Sequence, residues 1–69
     1  MQISARNQLQ GKVKSVKLGT VMAEVVVALP DGQEIVSAIT RGSAESLRLQ
    51  AGDQVIAIIK STEVMIGKA

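Results

Sequence analysis

Three short segments of this 69-residue chain concentrate its polar chemistry. The first is Ser4-Ala5-Arg6-Asn7. The Arg6 guanidinium offers five donors in a fixed fork, and Ser4 and Asn7 add neutral donors. Such a set suits a doubly charged oxyanion; it equally makes an ordinary polar strand start with a solvated arginine. The second is Lys60-Ser61-Thr62, where a lysine follows an apolar run and two hydroxyls follow the lysine. Its alternative use is a strand-end lysine whose stem packs while its ammonium stays wet. The third is Thr40-Arg41-Gly42-Ser43, at the start of a short helical pattern. Free N–H groups there can seat an anion, or Thr40 or Ser43 can simply cap the helix. Gly19-Thr20 is a fourth, weaker candidate: a hairpin turn whose backbone N–H groups could cradle an anion.

These segments hold donors and no carboxylate, so they do not suit a bare cation, which needs Asp or Glu oxygens. The chain has no Cys, His, Phe, Trp or Tyr. That excludes a disulfide framework, thiolate chemistry, an imidazole base and aromatic platforms for stacked bases. Lys60 could in principle serve Ser4 or Ser61 as a base, but no orienting acid or oxyanion-hole motif supports catalysis. The net charge of +2 is too mild to mark a nucleic-acid binder, and Lys12, Lys14 and Lys17 read as a solvated strand face. No apolar run reaches the roughly 20 residues of a membrane span. The first residues lack the apolar core of a secretory signal, so a cytoplasmic location is expected.

The elements that must position these residues are mostly strands. Turn signals fall at Lys17-Leu18-Gly19-Thr20, Pro30-Asp31-Gly32 and Gln50-Ala51-Gly52-Asp53. A long first strand is expected over residues 2–17, with a bulge near Lys14-Ser15 where the apolar alternation slips phase. Residues 21–29 form a second strand apolar on both faces, and residues 33–40 a third. Ala44, Leu47 and Leu49 are spaced for a short helix over 41–49, with Glu45 suited to its first turn. Residues 54–60 give a fourth strand, again apolar on both faces, and 62–66 a fifth. The order β-β-β-α-β-β predicts an all-β chain with one short helix, a five-stranded OB-like barrel; an open sheet or SH3-like barrel is the alternative. Residues 1–69 read as one domain. A core this small rarely supplies more than about 3–5 kcal/mol, and neither disulfides nor a thiolate metal site are open to it. Oligomerisation is therefore expected.

Ser4-Ala5-Arg6-Asn7-Gln8-Leu9-Gln10-Gly11-Lys12-Val13 resembles the opening signature of the molbindins, the Mop-type molybdate-binding proteins. The likeness continues through residues 19–25, 38–40, 49–53 and 55–61. It implies an OB-like unit assembled as a hexamer, a trimer of dimers. It implies molybdate or tungstate bound at subunit interfaces for intracellular storage or buffering, with no catalytic cofactor. Carried over by position, the main site takes Ser4, Arg6, Lys60 and Ser61 from one subunit and Thr40 from its neighbour. A second oxyanion site near a symmetry axis maps onto Gly19, Thr20 and Ser43. Two other readings remain open. One is an OB-type module that binds nucleic acid or a protein partner. The other is a purely structural oligomerisation unit.

Overall fold

A computed structural model describes residues 1–69. Four strands and one helix form in the order β1 (Asn7–Leu18), β2 (Met22–Ala28), β3 (Glu34–Thr40), α1 (Arg41–Ser46) and β4 (Gln54–Ile59). All strand pairs are antiparallel, in the sheet order β3-β2-β1-β4. The long β1 pairs with β4 along its first half and with β2 along its second. This lets the sheet curl, and a groove of about 370 Å³ with apolar walls lies between the two edge strands. The OB-like, all-β architecture with one short helix is as expected.

The bulge falls where the alternation slips. Val13 faces Val27 and Ser15 faces Val26, so Lys14 is the extra residue. It lets Val13 and Val16, three apart, both join the concave side with Val25 and Val27. Buried Gly11 brings β1 close to β2: a Cβ there would stand 2.6 Å from the Ala28 carbonyl oxygen and 2.7 Å from Val27 Cγ1. The turn after β2 uses Gly32 at φ 91°, and the turn before β4 uses Gly52 at φ 95°.

Several boundaries differ from expectation. The strand expected over 62–66 does not form, so the sheet has four strands and not five. Ser61–Glu63 wind into one 3₁₀ turn instead, with Glu63 N–H donating to Lys60 O at 2.9 Å. The turn takes the chain off the line of β4. Val64, Met65 and Ile66 then run on without a strand to pair with, 45%, 92% and 89% exposed. β1 begins at Asn7 rather than residue 2 because its partner ends at Ile59. Helix α1 stops at Ser46 rather than 49 because Arg48 takes a left-handed φ of 53°, while Arg48 and Leu49 N–H close onto Glu45 and Ala44 carbonyls. Glu45 lies beyond the first turn and pairs with Arg41 at 3.5 Å. Thr40 is the N-cap.

Candidate functional site

The last residue pair between β1 and β4 is Asn7 with Ile59. Arg6 is the next residue outward on one strand and Lys60 on the other. Ser4, Arg6, Lys60 and Ser61 therefore gather at one end of the β1–β4 pair, although Arg6 and Lys60 stand 54 positions apart in sequence. Arg6 and Lys60 share the strand parity of Gln8 and Ile58, which face each other across the pair on the outer side. All four residues are exposed, and neither Arg6 nor Lys60 is held in an ion pair.

The backbone adds donors to this corner. In the 3₁₀ turn, Glu63 and Val64 N–H groups bond to Lys60 and Ser61 carbonyls, which leaves Ser61 and Thr62 N–H without a partner in the chain. Arg6 N–H is likewise unpartnered. No carboxylate occurs in residues 1–8 or 56–62; Glu63 is the first. The corner thus carries two full positive charges, two hydroxyls and several free N–H groups. Chemically it can hold a small tetrahedral dianion through charge-assisted hydrogen bonds. No set of three His, Cys, Asp or Glu side chains comes together to ligate a cation.

Thr40 lies elsewhere. It ends β3 opposite Met22, at the far edge of the sheet and the far end of β1. Within one subunit it cannot reach Arg6 and Lys60. Its hydroxyl is engaged in capping: it accepts from Ser43 N–H at 3.0 Å and donates to Ser43 Oγ at 2.7 Å. Around it the structure gathers the weaker candidates. Gly19 N–H donates to Met22 O at 2.7 Å, so that donor is committed to the hairpin. Gly19 O accepts from Arg41 Nη1 at 3.3 Å, and Arg41 N–H donates to Val21 O at 2.7 Å. Gly19, Thr20, Thr40 and Ser43 thus share a corner with Arg41, which lies in the third candidate segment but was assigned to neither oxyanion site. The hint was available: Arg41 is the one cation in the Thr40–Ser43 segment, next to the residue chosen.

Residues 3–66 match the TOBE domain family. The chain belongs to that family. Among relatives of this TOBE domain, molybdenum-pterin-binding protein 3 of Clostridium pasteurianum is 52% identical over 66 residues, covering 96% of this chain and 97% of its own. The structure of MopII from Clostridium pasteurianum superposes with a TM-score of 0.92 at 48% identity, over 97% of this chain and all of that one. The cytoplasmic molybdate-binding protein ModG, in a crystal form with molybdate bound, gives a TM-score of 0.84 at 44% identity. There the match covers 88% of this TOBE domain and 43% of ModG. The resemblance to Mop-type proteins is therefore borne out along the whole chain.

Proposed function

We propose that this TOBE domain binds molybdate, and tungstate likewise, without catalysing a reaction, and serves as a cytoplasmic store or buffer of the oxyanion. The observation that carries the reading is the carboxylate-free corner of Ser4, Arg6, Lys60 and Ser61, assembled from the two ends of the sequence. Molybdate is a tetrahedral dianion with four acceptor oxygens and no donor. Its metal is already shielded by oxygen, so a chain without Cys or His loses nothing as a host. The names of relatives that match over the whole chain point the same way.

An exposed corner holds a dianion weakly, because water screens each contact. We therefore assign the site to a subunit interface, with the Thr40 hydroxyl supplied by a neighbouring copy in a hexamer arranged as a trimer of dimers. A hydroxyl now capping α1 can rotate its proton toward an anion while still accepting from Ser43 N–H. Gly19, Thr20 and Ser43 are proposed for a second oxyanion position, with Thr20 N–H as its free backbone donor. The OB-type alternative, a module for nucleic acid or a protein partner, gains no support from a surface without aromatic rings.

Titration calorimetry on protein stripped of anions tests the proposal. Saturable heat with molybdate and tungstate, and little with sulfate, is the expected result. Absence of heat with both metal oxyanions would overturn it.

A further inference from the structure

We propose that each copy of this chain inserts its segment Val64–Ile66 into a second copy, as a fifth strand in the apolar groove between β3 and β4, and that the second copy does the same in return. The inference rests on the interface assignment above and names the contact that makes one such interface.

The groove has the features of an open strand position. Strands β3 and β4 are the two edges of the sheet, so each presents a row of backbone N–H and C=O groups without a ladder partner. Both edges border the same groove. Its walls include half-buried Ile35, Ile39 and Val55 on the concave side, and exposed Val36, Ile56 and Ile58 on the outer side. Ser37 is the only polar residue lining it. A guest must therefore be extended, uncharged and apolar on both faces, because successive side chains of a strand point to opposite sides.

Val64-Met65-Ile66 meets each requirement and lies outside the sheet of its own copy. Val64 is already extended, at φ −92° and ψ 120°. Beyond the Val64 N–H bond to Ser61 O at 3.4 Å, inside the 3₁₀ turn, the segment makes no backbone hydrogen bond. None of its residues lines the groove of its own copy. One copy thus has an open strand position and an exposed strand-like segment that does not fill it. A foreign peptide in the groove would leave the segment bare. Exchange between two copies covers both, closes on a two-fold axis and pairs the exposed edges. Lys60 and Ser61 directly precede the segment, so the exchange also draws that half of the anion corner up to the second copy.

The chain has no Cys, so introduced thiols report alone. The test mixes a Met65→Cys chain with a Val36→Cys chain, unfolds and refolds them together, and adds a short bifunctional thiol reagent. A covalent link between the two chains is the expected result. Absence of that link would overturn the proposal. So would a chain carrying both substitutions that links only to itself, since its segment then fills its own groove. In parallel, Val64→Asp with Ile66→Asp puts charge into the groove and should at least halve the mass read by light scattering, while Val64→Ile with Ile66→Val keeps it. Wild-type mass in the aspartate variant would also overturn the exchange; should that variant unfold, the cross-link decides. An assembly that cross-links but takes up no molybdate defeats the oxyanion reading alone. An assembly that binds molybdate without the link defeats the exchange alone.

Discussion

Arg6 and Lys60 differ in what they can offer an oxyanion. The guanidinium presents a rigid fork, while the ammonium is a mobile point charge on a flexible stem. Arg6→Ala should therefore cost about 2 kcal/mol of molybdate affinity, roughly thirtyfold, in calorimetry. Arg6→Lys should recover only part of it, because charge returns and the fork does not. Unchanged affinity in Arg6→Ala would remove Arg6 from the site. A second residue-scale effect sits at the β2–β3 turn. The Gln33 side chain, then its N–H, donate to Asp31 and hold its carboxyl below the usual value of 3.8. The carboxylate form is thus favoured by folding. Its contribution is present above about pH 3.8 and is lost as pH falls through the lowered value. In acid titration followed by circular dichroism, Asp31→Asn should remove this part of the pH dependence. At this scale donor type is written in the residue, so Ser4, Arg6, Lys60 and Ser61 were legible as donors, while their joint use on one anion came only from the resemblance and stands as a proposal. The hydrogen bonds of Gln8 and Arg41 were not, since they depend on backbone carbonyls that only the folded turns present.

The elements explain why distant segments meet. β1 is long enough to serve two partners, and its first half brings the start of the chain to the end of β4. Gly11 marks the point where the strand passes closest to β2. Gly11→Ala would force a Cβ against the Ala28 carbonyl and Val27, so it should destabilise the fold by about 1–3 kcal/mol, read as a lower urea midpoint. A midpoint at or above the wild-type value would refute that close approach. Thr40→Ala removes the α1 cap and should cost about 1 kcal/mol by the same measurement, before any effect on ligand. The bulge at Lys14 was legible because Val13 and Val16 break the period of two. The fifth strand was misread for a physical reason. Val64, Met65 and Ile66 have strand chemistry, but a strand exists only where an edge is available to pair, and the 3₁₀ turn leads them away from β4.

As a whole molecule the chain is short of cover. Only six residues are buried, and Val21 and Val36 are 70% and 64% exposed on the outer side. Its 33 backbone–backbone hydrogen bonds fall below the roughly 45–50 expected of this length. The radius of gyration is 12.7 Å, against about 11 Å for a compact chain of this size. The apolar groove and the exposed Val64–Ile66 segment leave apolar surface that the proposed assembly of copies would cover. Ligand held between copies stabilises their assembly by mass action, by about 2.7 kcal/mol at a hundred times the dissociation constant. Gel filtration of the anion-stripped protein with molybdate, with light scattering and molybdenum content read on the same peak, tests the account most directly. It predicts molybdenum co-eluting with a hexamer of 7.2 kDa chains, about 43 kDa in all. Protein eluting as a monomer, with molybdenum left in the salt volume, would contradict it.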